Sequence, residues 1–429
     1  MSFQDFQTLR LLALVGSNPL PAAVAGSLLS AEGGTVTLVC TKATRGVAEK
    51  LRTWLEHRGI SCKDPLEIVE ADRAETERRV LNWLGTDARS LGLNYTGGTK
   101  SMAVHVYDVL KTRAERERTG VPIFSYLDPR RLSMVFDPMP GRNINLVLPI
   151  PQNYSMRLKD LIEMHGWEET SIAKKAIDLP LTNALRDLYA GTFPAIRAWL
   201  DWKHRIFRDQ CYNRSGHVKP LNAQNAADRL PARLPLPTDL LLGDLAASIR
   251  ESLTKEDSSA VDGNELVFGA IKGVCGIGPE AFCEYLDGLW LESLVLRCLQ
   301  GHSGDLGLHD MGRSLHVKLP TNTRVDFELD VVALHGYQLF AMSCGTSTGK
   351  KELKLKLFEA YTRARQIGGD EARVALVCPS EQPGVLQDEL TSDIGDGGHL
   401  RVFGKTDLPL LDQRLPQWIA EQSQAKGAG

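Results

Sequence analysis

Between residues 8 and 150, short apolar runs alternate with longer segments of helical period, and this alternation constrains the fold more than any other feature. Parallel strands need a helical crossover between them and are buried on both faces, so the pattern specifies a parallel sheet covered by helices on both sides. Strands are predicted at 9–15, 35–40, 66–71, 91–95 and 123–127, and amphipathic helices at 46–57, 73–83 and 100–118. Gly59 and Gly85 stand where two of these helices should stop. Residues 1–150 therefore read as a Rossmann-like domain.

Beyond 150 the strand signal fades. Segments 157–164 and 193–208 look helical, Pro231, Pro235 and Pro237 cluster, and the polar stretch 251–264 reads as a linker. A second α/β unit is predicted from 265 to 429. It comprises a long helix at 280–299, strands at 316–319, 324–334 and 338–344, a helix at 351–366, strands at 373–378 and 400–403, and a closing helix at 413–421. The expected layout is thus 1–150, a helical middle region with linker at 151–264, and 265–429, with no repeat relating the two α/β halves.

Charge and cysteine usage narrow the function classes. Fifty Lys and Arg against 53 Asp and Glu leave a formal charge of −3, without the basic excess of a duplex-coating protein. The eight cysteines form no Cys-x-x-Cys pair and several lie in apolar runs, which predicts reduced thiols, a cytoplasmic location and no zinc ribbon. The apolar run 11–15 is stopped by Gly16, Ser17, Asn18 and Pro19, too short for a membrane span or a signal peptide. No contact with a membrane is expected.

Two places carry chemistry. Around Thr96, Gly97, Gly98, Thr99 and Lys100 a strand turns into a helix. Paired glycines bring backbone N–H groups close to a bound group, the helix N-terminus favours an anion, and two hydroxyls and an ammonium add donors. The run is neither a Walker A loop nor a Gly-x-Gly-x-x-Gly fingerprint, which disfavours a nucleotide-dependent metabolic enzyme. The loop Gly16, Ser17, Asn18 follows the first strand and should face the same crevice, although taken alone it reads as a tight connection.

The second place lies in the C-terminal unit. Tyr285, Leu289, Glu292, Val295, Leu296 and Leu299 share a helix face, so Glu292 sits in an apolar stripe, where a carboxylate needs a metal or an arginine partner. In the strand that follows, Asp326, Glu328 and Asp330 alternate against Val325, Phe327, Leu329 and Val331. Oxygen ligands of this kind suit Mg2+ or Mn2+ and phosphodiester hydrolysis, and a solvated acidic face is the alternative for Asp326 and Glu328. The lysines from Lys350 to Lys356 are either a solvated helix face or contacts for a phosphate backbone.

On these residues the chain resembles two known families. The loop with Ser17 and Asn18 and the turn at Thr96 to Lys100 resemble the CARF domains, CRISPR-associated Rossmann folds that bind cyclic oligoadenylates across a two-fold axis. The helix glutamate and strand aspartate resemble the PD-(D/E)XK nucleases, with Ser343-Cys344-Gly345 where that family has Glu-x-Lys. The resemblance implies an antiviral CARF nuclease, a homodimer activated by cyclic tetra-adenylate that cuts single-stranded or nicked nucleic acid. Glu292 and Asp330 would hold the metal, Lys350 or Lys351 would replace the missing catalytic lysine, and Gly16, Ser17, Asn18 and Thr96 to Lys100 would hold the activator. Loss of Glu-x-Lys implies, as the alternative, the same sensor with an inactive nuclease-like domain.

Overall fold

The computed structural model describes residues 1–87, 89–117, 121–138, 145–151, 153–320, 326–395 and 398–423. Arg118, Arg324 and Val325 lie outside the described residues. In the N-terminal half, β1 (Thr8–Leu14), α1 (Leu20–Leu29), β2 (Ser30–Cys40), α2 (Arg45–Glu56), β3 (Leu66–Glu67), α3 (Arg73–Leu84), β4 (Leu91–Asn94), α4 (Lys100–Glu117) and β5 (Ile123–Asp128) follow in turn. The chain then adds β6 (Ser133–Phe136) and β7 (Leu146–Pro149). The sheet order is β3-β2-β1-β4-β5-β6-β7, with parallel pairing from β3 to β5 and antiparallel pairing of β6 and β7. The chain therefore crosses over between β1 and β4, the point at which open α/β sheets form a ligand crevice. Helix α1, absent from the sequence reading, is buried on nearly every side.

The middle region is helical, with α5 (Leu158–Glu163), α6 (Leu181–Ala190) and α7 (Phe193–Trp202), but it also supplies a strand, β8 (Glu168–Ala173). The polar stretch read as a linker is two short hairpins, Thr254–Lys255 with Ser258–Ser259 and Val261–Asp262 with Glu265–Val267. The second of these is tied to Arg233–Pro235 in the proline cluster. Burial of Ala260 and Leu266 against the helices holds the hairpins in place.

The C-terminal elements are α8 (Trp290–Gly301), β9 (Leu308–Lys318), β10 (Asp326–His335), β11 (Gln338–Cys344), α9 (Lys350–Gly368), β12 (Arg373–Val377), α10 (Pro383–Ile394), β13 (Leu400–Phe403) and α11 (Leu411–Ser423). They form a six-stranded mixed sheet, β13-β12-β11-β10-β9-β8, so β8 from the middle region is its edge strand. One apolar core is continuous from Leu11 and Val36 of the first sheet to Leu339 and Val374 of the second. The other face of the second sheet packs on the middle helices through Trp199, Phe282, Trp290 and Phe340. His165 Nε2 bonds the Ile367 carbonyl at 3.0 Å across the junction, and burial lowers the pKa of this imidazole to about 4. Among the described residues all eight cysteines are unbridged, and no helix is long and apolar enough to cross a membrane.

Candidate functional site

The two loops at the crossover touch. A Cβ on Gly97 would lie 2.1 Å from the Leu14 carbonyl oxygen, and one on Gly16 would lie 3.1 Å from Gly98 N, so only glycines let the β1 and β4 ends meet this closely. Gly98 has φ +74, the left-handed region that favours glycine. The turn is shaped from below by Asn94, a fully buried residue the sequence reading passed over. Its Oδ1 accepts from Thr96 N at 3.3 Å and from Thr96 Oγ1 at 2.8 Å, while Thr96 Oγ1 accepts from Leu127 N at 2.7 Å. The Thr96 hydroxyl, expected to face a ligand, is therefore spent inside the turn. Thr99 Oγ1 accepts from Met102 N at 3.4 Å, as a helix cap does, whereas Ser17 and Lys100 are exposed. Asn18 Oδ1 accepts from Leu20 N at 2.8 Å, and its buried Nδ2 abuts Gly369 of the second unit, where a Cβ would come within 2.5 Å.

The carboxylates converge in a cleft of about 800 Å³ between the second sheet and the middle helices. Oxygens of Glu292, Glu328 and Asp330 all lie within 4.8 Å of one another. Glu292 rides on α8 directly after a π-helical turn, Tyr285–Leu289, that interrupts the long helix expected from 280 to 299. Asp287 in that turn is clamped by Arg208 at 2.9 Å and by Lys203 at 3.2 Å, from a second π turn, Lys203–Arg208. Against the cost of burial, these two cations hold the Asp287 carboxyl below its ordinary range.

On β10 the predicted alternation holds as far as Asp330 and then inverts. Phe327 and Leu329 share a core with Val332 and Leu334, whereas Val331 packs in the other core with Ala333, contrary to the expectation that it sides with Phe327. The strand pairing places Ser314 of β9 opposite this point, and Ser314 has φ +49, a conformation non-glycine residues rarely take. It turns its Oγ to donate to Glu292 Oε2 at 2.9 Å. The register of β10 with β11 begins at Val331 and Met342, and just before it the Asp330 carboxylate takes over the bonding between the strands. Asp330 Oδ2 accepts from Cys344 N at 2.6 Å and from Ser343 Oγ at 3.1 Å. Ser343, read as the loss of a carboxylate, thus orients another.

The lysine at this site is Lys356. Its Nζ donates to Asp330 Oδ2 at 3.2 Å and to the Cys344 carbonyl at 2.8 Å, reaching over Gly345. Lys350 is elsewhere, paired with Glu389 of α10 at 2.5 Å, and Lys351 is exposed, so neither stands at the carboxylates as expected. Glu359, further along the same helix, is also exposed, and the third carboxylate beside Glu292 and Asp330 is Glu328. Burial, reinforced by Asp330 and Glu328, pushes the Glu292 carboxyl well above the ordinary range. Glu328 is raised by burial and Asp330, with His316 pulling the other way from 3.7 Å. Burial disfavours the Lys356 ammonium, but Asp330 and its neighbours outweigh this and raise its pKa. Three crowded oxygen donors, Glu292 and Glu328 with raised proton affinity, and one held ammonium form a site short of positive charge, which fits a hard divalent cation.

No protein-family model matches the chain, and no curated protein sequence matches it. Several solved structures share its fold, among them two that match over nearly the whole length. Protein VC1899 from Vibrio cholerae superposes with a TM-score of 0.71 at 15% identity, covering 97% of this chain and 100% of that one. Can2 from Sulfobacillus thermosulfidooxidans, solved in complex with cyclic tetra-adenylate, superposes with a TM-score of 0.64 at 16% identity, covering 96% and 99%.

Proposed function

We propose that the chain is a cyclic-oligoadenylate-sensing CRISPR effector, a cytoplasmic homodimer whose C-terminal unit is a metal-dependent nuclease. The observation that carries the nuclease reading is the convergence of Glu292, Glu328, Asp330 and Lys356 in one cleft. The sensing half is supported by the touching glycine loops at the crossover and by whole-length likeness to Can2, which binds cyclic tetra-adenylate.

In this reading Glu292, Glu328 and Asp330 hold Mg2+ or Mn2+, which supplies Lewis-acid stabilisation of a phosphodiester and a nucleophilic water. Cys344 N and Ser343 fix the Asp330 carboxylate, and Ser314 fixes that of Glu292, so the acidic donors are oriented before the cation arrives. Lys356, held charged beside Asp330, faces the place where negative charge develops on the phosphate and stabilises it there. The inactive alternative rests on Ser343 and Gly345, and Glu328 and Lys356 supply the groups those positions lack. The test is incubation with Mn2+, cyclic tetra-adenylate and single-stranded or nicked DNA or RNA. Cleavage lost in Asp330→Ala supports the reading, and a wild-type protein that cuts none of them overturns it.

A further inference from the structure

Beside the carboxylate cleft lies a second, smaller pocket of about 220 Å³. Its floor is apolar, built from Ile196, Leu353 and Leu386, each only 2% exposed. Its wall is Phe193, the first residue of α7, which is 52% exposed although it is a large aromatic side chain. Thr348, Ser380 and Gln382 give it a polar rim. The two pockets flank one loop: Gly345, Thr346 and Ser347 line the carboxylate cleft, Thr348 lines the smaller pocket, and Leu353 lines both. The loop is held in shape by Ser347, whose Oγ accepts from Gly349 N and bonds the Glu352 carboxylate.

We infer that this pocket is a subsite for an unpaired nucleobase next to the phosphodiester held at the carboxylates, with Phe193 as its stacking platform. The inference rests on the nuclease reading and sharpens its substrate class to single-stranded nucleic acid, because a base inside a duplex cannot enter a pocket of this kind. An apolar floor, one exposed ring and a hydroxyl and amide rim match a base, which has two apolar faces and a polar edge. Charge does not oppose a phosphate backbone here: Glu381 is paired with Lys405 at 3.0 Å, and Glu389 with Lys350 at 2.5 Å and Lys354 at 3.1 Å. A strand leaving the carboxylates would pass along the Gly345 to Gly349 loop, whose first residues line the carboxylate cleft and whose Thr348 lines the pocket walled by Phe193.

The test uses the full-length protein and a labelled single-stranded oligonucleotide, with binding measured in Ca2+ and cleavage in Mn2+ with cyclic tetra-adenylate. Phe193→Ala and Phe193→Leu are expected to weaken binding and raise KM about 5- to 150-fold, the range that aromatic stacking on a base covers, with kcat little changed. Phe193→Trp restores affinity, which an apolar side chain without a flat ring does not. One abasic position beside the cut reproduces the loss in the wild-type protein and adds nothing in Phe193→Ala. If the wild-type protein cleaves but Phe193→Ala binds and cleaves alike, or Phe193→Leu is as good as Phe193→Trp, the subsite is refuted while the nuclease reading stands. A wild-type protein that cuts nothing overturns both.

Discussion

Replacing Glu292 by glutamine separates a metal site from a merely acidic cluster, because the two predict opposite changes with and without a cation. Glu292 is 8% exposed, and one of its carboxyl oxygens lies within 4.8 Å of one from Glu328 and one from Asp330. Were Glu292 ionised, each like-charge pair at that separation and an effective dielectric near 20 would cost roughly 3 kcal/mol, part of which Lys356 would offset, so the fold holds a proton on Glu292 instead. Gln keeps the shape and the oxygen that accepts from Ser314, so without metal Glu292→Gln should stabilise the protein by about 1–3 kcal/mol at neutral pH. For a unit of this size that is several degrees in Tm. The sign with pH follows from the raised pKa: the folded state keeps a proton that the unfolded chain releases near 4.5. Wild-type stability therefore falls as pH rises above that value, and the variant lacks this decline. Mn2+ at about 100 times its Kd adds roughly 2.7 kcal/mol to any form that binds it, so the wild-type gain should exceed that of the variant and reverse their order. Calorimetric or dye-based melting with and without Mn2+ reads both effects. A Glu292→Gln protein less stable than wild type without metal, or equal Mn2+ shifts in the two, would refute the reasoning.

Lys356→Met should lower kcat for Mn2+-dependent cleavage about 100- to 1,000-fold, as loss of a preorganised charge at the reacting phosphate does; loss on Lys350→Met or Lys351→Met with Lys356→Met unaffected reverses the assignment. Gly97→Ala forces a Cβ to 2.1 Å from the Leu14 carbonyl, costing about 1–3 kcal/mol and parting the two loops, so calorimetric titration should show no binding of cyclic tetra-adenylate; unchanged binding counts against the crossover as its site. Glu371, 3% exposed, is pushed up to about 7 by burial and Asp370, so it stays protonated in the fold while the unfolded chain ionises from about 4.5. Stability should therefore fall by roughly 3 kcal/mol between those pH values and stay level above, and denaturant titrations of Glu371→Gln should lack this contribution.

What the sequence reveals of this site follows from where local pattern and chemistry conflict. Glu292 is legible because a carboxylate in a helical stripe with Val295, Leu296 and Leu299 breaks the rule of its own surroundings, and Asp330 because it closes an acidic alternation just before a continuous apolar run. The parallel half is legible for a related reason, since buried strands and amphipathic crossovers each carry their own period. Helix α1 is not, because Leu20–Leu29 is apolar on every face and so has no period to read. Strand β8 is missed because it is a polar edge with little apolar alternation. The π turn at Tyr285–Leu289 depends on the clamp that Lys203 and Arg208 place on Asp287 from some 80 residues earlier in the chain, as the separations of 84 and 79 show. Lys356 is the sharpest case. Its helix buries Leu353, Leu357, Ala360 and Ala364, and a lysine three residues after Leu353 satisfies the amphipathic pattern as well as any surface lysine. Nothing local marks it; only the tertiary placement of Asp330 and the Cys344 carbonyl beneath the helix lets its ammonium reach the carboxylates. A lysine that conforms to its local pattern is invisible to pattern, so when a strand lacks its expected Glu-x-Lys, an ammonium beside the carboxylates is to be sought on the flank of the helix that follows.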